Sequence, residues 1–101
     1  MAKFIYLYSG GSMVPSSPEE GKKSMDAWMA YFGRLGDKIV EMGAPIGQRK
    51  SIGGAGQSSI NGYTIISAAG LDEAVDLTKG HPHLEGGGSI EVAELVAPPG
   101  M

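Results

Sequence analysis

The chain has 101 residues, including 17 Gly and 6 Pro, and its net charge of −3 reflects 11 acidic and 8 basic residues. This length suits a single domain over residues 1–101. The absence of Cys excludes disulfides and Cys-ligated metals, and the acidic balance argues against a nucleic-acid-binding surface. No segment approaches the ~20 apolar residues of a membrane span, and no leader is recognisable. We therefore expect a cytoplasmic protein that binds neither nucleic acid nor a membrane.

The first half of the sequence predicts a strand followed by a long amphipathic helix. Residues 3–9 are rich in β-branched and aromatic side chains and stop at two glycines, which indicates a central strand. Ser17, followed by Pro and two Glu, is typical of a helix N-cap. Apolar residues then recur at spacings of three and four, which predicts a helix over residues 17–42 closed by the next glycine. Within it, Gly33 and Gly36 indicate a close packing contact.

The second half of the sequence predicts shorter elements separated by glycine-rich turns. In chain order these are a strand over residues 48–52, a turn at 53–56, a strand over 62–68, a short helix over 71–79, a strand over 89–97 and a tail at 98–101. The glycine clusters neither open a helix nor precede the residues of a phosphate-binding loop, so we expect no nucleotide cofactor.

The order of these elements predicts an α+β, ferredoxin-like split βαβ fold. Two helices would then cover one face of an antiparallel sheet. The other face would expose a large apolar surface, which soluble monomers avoid. We therefore expect a homodimer through the sheet face.

Three segments of the chain resemble the YCII-related family. They are KFIYLYSGG at the start, AWMAYFGRLGDKIVEMG in the first helix, and GYTIISAAGLDEAVDLTKGHPHLEGGGSIEV towards the end. The resemblance covers nearly the whole chain and implies a ferredoxin-like domain that forms a dimeric α/β barrel. Some relatives act on small aromatic or lactone-type substrates.

The site that the resemblance implies differs from that of the relatives in one respect. Relatives with a proposed active site share a His on the first helix and an Asp further along. Here the first helix contains no His; Trp28 or Tyr31 stands near the place of that His, and Asp37 or Glu41 near that of the Asp. The resemblance therefore implies a pocket between helix and sheet, with an aromatic wall and the closing stretch at residues 82–84. It does not imply the catalysis that the His and Asp of the relatives are proposed to perform.

The candidate proton carriers are His83 and Asp37. His83 is a candidate general base because the ordinary pKa of His lies near neutrality. The alternative, which the sequence favours, is that His83 packs or hydrogen-bonds in the turn before the last strand. Asp37 follows a glycine and is either a proton acceptor for a ligand or part of a solvated helix face. His81 and His83 are separated by a proline, and Glu85 is the one other potential ligand nearby. Because the sequence offers no dedicated third ligand, we expect no metal site.

Aromatic residues are the candidate ligand-binding groups. Trp28 and Tyr31 would wall a pocket, with core packing as the alternative for Trp28. Tyr6, Tyr8 and Tyr63 lie on predicted strands, and their hydroxyls would orient a polar aromatic ligand if they converge. Packing in the core or in a dimer interface is the alternative.

Two functions follow from these features. The first is binding of a small aromatic or carbonyl-type molecule in a cleft between the first helix and the sheet, with acid–base catalysis as an option and without a cofactor. On the last strand, Glu91 and Glu94 have opposite orientations, so only one could supply a carboxylate to such a site. The second function, favoured by the missing helix His, is a non-catalytic dimeric sensor or interaction module.

Overall fold

The architecture is a four-stranded antiparallel sheet with helices on one face. The computed structural model describes residues 1–11, 17–54 and 56–99. Its elements are β1 (Ala2–Gly10), α1 (Pro18–Leu35), a 3-10 turn (Gly36–Lys38), β2 (Ile39–Glu41), β3 (Ile60–Ala68), α2 (Leu71–Asp76), α3 (Pro82–Glu85) and β4 (Gly88–Leu95). The strand order is β2-β3-β1-β4. This confirms the predicted α+β, ferredoxin-like fold.

The two central strands supply most of the core. β1 alternates strictly, so that Phe4, Tyr6 and Tyr8 are buried on the face that carries the helices. β3 pairs with it in register, opposing Phe4 with Ile66 and Tyr6 with Thr64, both of which are also buried. The predicted central position of the first strand is therefore confirmed.

Helix α1 begins where the sequence predicts. The Ser17 hydroxyl accepts a hydrogen bond from the backbone N–H of Glu20 at 3.2 Å and thus caps the first turn. Tyr31 and Leu35 are buried against the sheet, and Trp28 packs half-buried on the same core. The apolar stripe therefore places the aromatic residues of α1 over β1.

The predicted continuation of this helix to residue 42 is wrong. The helix ends at Leu35 because Gly36 adopts a positive φ of 55°, a conformation that favours glycine. After the 3-10 turn, Ile39–Glu41 pairs with β3 as an edge strand. Ile39 lies four residues after Leu35, so in the sequence it continues the apolar spacing of the helix. In the structure it belongs to β2 and packs on the core from there.

The glycine that packs closely against another strand is Gly43, and not Gly33 or Gly36 as the sequence indicates. No described atom outside the local chain lies within 4 Å of a Cβ built on Gly33 or Gly36, so the predicted close contact there is wrong. At Gly43, φ is +79° and a Cβ would overlap the carbonyl of Tyr63. Glycine at position 43 is therefore required for the chain to pass this close to β3.

The segment between β2 and β3 differs from the prediction. Residues 48–52 form no strand and are exposed, because β2 at Ile39–Glu41 already occupies the edge of β3. A single bridge joins Pro45 to Gly62. In the predicted turn at residues 53–56, Ala55 lies outside the described residues.

The last part of the chain follows the prediction with shifted limits. The short helix ends at Asp76 rather than residue 79, and β4 ends at Leu95. The single-turn helix α3 was not predicted. Residues 96 and 97, predicted as the end of the last strand, and residues 98 and 99 of the predicted tail follow β4 without regular structure, and residues 100 and 101 lie outside the described part. Among the described residues, no helix has the length and hydropathy of a transmembrane segment.

Candidate functional site

Two buried histidines lie among aromatic rings where α1 and residues 81–85 pack on the sheet. The members of this aromatic–imidazole cluster are Tyr6, Tyr8, Trp28, Tyr31, His81 and His83. The ring centres of Tyr31 and His81 are 4.2 Å apart, and those of Tyr8 and His83 are 5.1 Å apart. His81 is fully buried and His83 is 6% exposed. The structure thus brings four of the six predicted site residues together: Tyr6, Trp28, Tyr31 and His83.

Local backbone geometry places the two imidazoles. His81 has extended backbone angles, as expected for a residue before proline, and it is the N-cap of α3. Pro82 occupies the first position of that helix, where its missing N–H is not needed. The Nδ1 atom of His81 accepts a hydrogen bond from the backbone N–H of His83 at 3.1 Å. This cap fixes both rings relative to β1.

A chain of hydrogen bonds runs from His83 through the core in one direction. Because His81 Nδ1 accepts from the His83 backbone, the neutral ring carries its proton on Nε2. That Nε2–H donates to the Tyr8 hydroxyl at 3.0 Å, and Tyr8 donates to Thr64 Oγ1 at 2.6 Å. Thr64 then donates to the Met42 carbonyl at 3.0 Å. Every member has a partner, which allows this polar chain to be buried.

Burial also sets the protonation states in this chain. Loss of solvent, together with smaller electrostatic effects of the nearby His83 and Arg34, lowers the pKa of His81 from 6.5 to about 4. Burial raises the pKa of the Tyr8 hydroxyl above its ordinary value of 10, against the opposing effect of its hydrogen bond to Thr64. At neutral pH the members of this hydrogen-bond chain are therefore uncharged, and His81 is a hydrogen-bond donor rather than a base.

His83 is held differently from His81. Its Nε2–H donates to the Ser9 carbonyl at 2.9 Å, so the neutral ring presents an unprotonated Nδ1. Nothing in the described part of the chain donates to that Nδ1. The imidazole lies directly against two glycines: a Cβ on Gly88 would overlap the ring, and one on Gly11 would lie 3.1 Å from Cε1. The structure therefore fixes the ring, and the Nδ1 lone pair has no donor among residues 1–11, 17–54 and 56–99.

The hydroxyls of Tyr6 and Tyr31 bind backbone carbonyls. Tyr6 donates to the carbonyl of Ala74 at 2.5 Å, and Tyr31 donates to that of Leu77 at 2.7 Å. Burial raises the pKa of both hydroxyls, so both stay protonated at neutral pH. These bonds attach α2 and the turn after it to the cluster.

Trp28 lies at the boundary between the cluster and solvent. Its ring is edge-on to Tyr8, with centres 5.4 Å apart, and to His81 at 4.8 Å. The helix stripe becomes more exposed towards the N-terminus of α1: Tyr31 is 4% exposed, Trp28 is half-buried and Met25 is 64% exposed. The indole therefore belongs to the rim of the cluster.

Two predicted site residues lie away from the cluster. Asp37 is exposed in the 3-10 turn beyond α1. Tyr63 is on the opposite face of the sheet, where it pairs with Leu7 and its hydroxyl donates to Glu41 at 2.9 Å. That bond to a carboxylate raises the pKa of Tyr63. Tyr63 therefore does not converge with Tyr6 and Tyr8, so the condition for a shared ligand site of the three hydroxyls is not met. It pairs with Leu7, whose side chain points to the opposite face from those of Tyr6 and Tyr8.

The two carboxylates of β4 have opposite orientations, as predicted. Glu91 pairs with Leu7 on the open face of the sheet, and Glu94 pairs with Phe4 on the helix-bearing face. Both are exposed. No group of three or more acidic or imidazole side chains within the described ranges has the arrangement of a metal site.

The sequence did not predict that His81 and Thr64 belong to the buried hydrogen-bond chain through Tyr8. Two signals were available: His81 precedes a proline, which favours the extended backbone of an N-cap, and Thr64 has the strand parity of the buried residue Ile66. Neither signal identifies Tyr8 as the common partner, since Tyr8 is 73 residues from His81 in the chain.

Comparison with known proteins establishes the fold and nothing finer. No family model matches the chain, and no curated protein does. A solved structure that is similar is the 5-chloro-2-hydroxyhydroquinone dehydrochlorinase from Burkholderia phenoliruptrix AC1100, in complex with 2,5-dihydroxybenzoquinone. The TM-score is 0.56 at 21% identity, covering 97% of this chain and 96% of that chain. The two chains share a fold. This agrees with the ferredoxin-like fold implied by the resemblance to the YCII-related family.

Proposed function

We propose that the protein binds a small aromatic or carbonyl-type molecule at the rim of the aromatic–imidazole cluster, between Trp28 and His83. The observation that carries this proposal is the state of His83: its Nε2–H is bound by Ser9, while its Nδ1 has no donor in the described residues. A fixed imidazole whose Nδ1 lone pair meets no donor from the described residues is suited to accept a ligand hydroxyl. We also propose that the chain belongs to the YCII-related family.

The surroundings of His83 favour an aromatic ligand. Trp28 is half-buried and Met25, one turn before it, is 64% exposed, so the apolar stripe of α1 is least covered at this end. Ligand sites commonly combine such apolar surfaces with a few fixed polar groups. The dehydrochlorinase of the same fold was solved with a dihydroxybenzoquinone, which is a ligand of this class.

Proton transfer would pass through His83. A phenolic or enolic O–H of the ligand would donate to Nδ1, and transfer of that proton would give an imidazolium that keeps its Nε2–H bond to the Ser9 carbonyl. His81 would stay neutral because burial lowers its pKa to about 4. Asp37 has no part in this proposal, since it lies exposed in the 3-10 turn.

Calorimetric titration with 2,5-dihydroxybenzoquinone tests the proposal. We expect saturable binding that weakens about tenfold in His83→Gln, since the hydrogen bond between the ligand hydroxyl and Nδ1 is lost. Trp28→Phe should also weaken binding, whereas Tyr63→Phe, on the opposite face of the sheet, should not. Circular dichroism of each variant confirms that it folds. Equal affinity of the wild type and both His83→Gln and Trp28→Phe would contradict the proposal.

A non-catalytic sensor is the second candidate. The observation in its favour is that the hydroxyls of Tyr6, Tyr8 and Tyr31 all donate to acceptors within the protein, so these three protons are already engaged and are not offered to a ligand. Chromatography of the ligand after prolonged incubation separates the two candidates. Ligand recovered unchanged after binding would favour the sensor.

We further propose a homodimer through the open face of the sheet. The apolar side chains on this face are Ile5, Leu7, Ile65, Ala93 and Leu95, which the strand register places side by side. Sedimentation velocity should show a dimer, and Leu7→Glu, at the centre of β1, should give a monomer. Val96→Glu, at an exposed position beyond β4, is the matched control. A monomeric wild type would contradict this assembly.

A further inference from the structure

A cleft lies beside the C-terminal end of α1, and neither Trp28 nor His83 lines it. This basic cleft has a volume of about 360 Å³ and is lined by Arg34, Leu35, Lys38, Asp76, Leu77 and Lys79. It contains three of the eight basic residues of a chain whose net charge is −3. Its acid, Asp76, is 3.5 Å from Lys79, in a pair whose side chains are both largely exposed. The cleft therefore has a local positive excess in an acidic protein.

Arg34 is held in one orientation at the edge of this cleft. Its Nη2 donates to the Lys79 carbonyl at 2.6 Å, and its guanidinium carbon lies 5.1 Å from the centre of the Tyr31 ring. A guanidinium has five N–H donors, and the described residues use one. The remaining donors lie in a plane fixed by these contacts, which is the arrangement that binds carboxylate or phosphate oxygens in a bidentate manner.

Two of the six residues that line the basic cleft are apolar. Leu35 is buried and Leu77 is half-buried between α1 and α2, and both border the cleft beside the three cations. A fully hydrated inorganic ion would leave these walls unused. A ligand with an oxyanion at one end and a small apolar body at the other would contact both kinds of surface.

We propose that the basic cleft binds a small organic oxyanion. Its carboxylate or phosphate would contact Arg34 and Lys38, and its apolar part would lie against Leu77. This site goes beyond the proposed function because it uses neither Trp28 nor His83. It lies on the helix-bearing side of the sheet, so a dimer through the open sheet face would leave it accessible.

Amide NMR titrations with four probes test the proposal. Benzoate and phenyl phosphate carry both the oxyanion and the apolar group, benzyl alcohol lacks the charge, and inorganic phosphate lacks the apolar group. We expect saturable shifts at the Leu77 and Lys79 amides with the first two, about tenfold tighter than with either of the others. The tighter of the two aromatic probes identifies the preferred oxyanion. Absence of saturable shifts with both would overturn the proposal.

Variants then assign the binding to these residues. Arg34→Gln should weaken benzoate binding about tenfold and Lys38→Gln about threefold, while Lys22→Gln, exposed in the first half of α1, should leave it unchanged. His83→Gln should also leave it unchanged, which distinguishes this site from the one proposed above. If Arg34→Gln disturbs the fold, Lys38→Gln decides. Unchanged affinity in Lys38→Gln would overturn the assignment.

Discussion

Acidification tests the neutral state of His81. In the folded protein burial lowers the pKa of this side chain to about 4, whereas its ordinary value is 6.5. The unfolded chain therefore takes up a proton first as the pH falls. The stability that depends on neutral His81 is complete above pH 6.5, is lost between 6.5 and about 4, and falls no further below that.

The magnitude follows from the same two pKa values. Inside this window each pH unit costs about 1.4 kcal/mol for one proton. The part of the free energy of unfolding that depends on His81 should therefore decrease by about 3 kcal/mol between neutral pH and pH 4. That is a large fraction of the ~5–15 kcal/mol that stabilises a domain.

Urea unfolding of the wild type and His81→Gln over this pH range isolates the effect. The other ionisable groups are present in both proteins, so their contributions cancel in the difference between the two free energies of unfolding. We expect that difference to shrink by about 3 kcal/mol on acidification. A constant difference would refute the reasoning. So would an NMR titration in which His81 takes up its proton near its ordinary pKa.

Two further substitutions test the packing and the polar chain. Gly88→Ala places a methyl group in the His83 ring and should lower the free energy of unfolding by about 1–3 kcal/mol in urea. The neighbouring Gly86→Ala meets only ordinary contacts and should change it by less than about 0.5 kcal/mol; equal effects would contradict the close approach. Tyr8→Phe removes the acceptor of the buried Nε2–H of His81 and should cost about 2 kcal/mol. A cost below about 0.5 kcal/mol would show that this bond is not formed.

The fold was predictable where local signals agree with the tertiary structure. The strand pattern of β1 and the cap at Ser17 appear in the structure as the sequence indicates. The end of α1 was not predictable in the same way. Ile39 supplies an apolar residue at helical spacing, and only its pairing with β3 shows that it belongs to a strand. Gly36 carries the missed signal, since its positive φ ends the helix.

The site was predictable in part for a similar reason. Helical spacing placed Trp28 and Tyr31 on the sheet, and strand alternation placed Tyr6 on the same core. The opposite parity of Tyr63 became clear only from the register between β1 and β3, which pairs it with Leu7. The partners of the fully buried His81 come from distant strands, so no local pattern could identify them.

The ring nitrogens of His83 give the most direct test of the proposed binding site. Long-range 1H–15N NMR of the free protein should show the proton on Nε2, as the bond to the Ser9 carbonyl requires. Addition of 2,5-dihydroxybenzoquinone should shift the Nδ1 resonance of His83 towards that of a protonated nitrogen and leave both nitrogens of His81 unchanged. A free protein with its proton on Nδ1 of His83, or a ligand that binds without moving that resonance, would contradict the account.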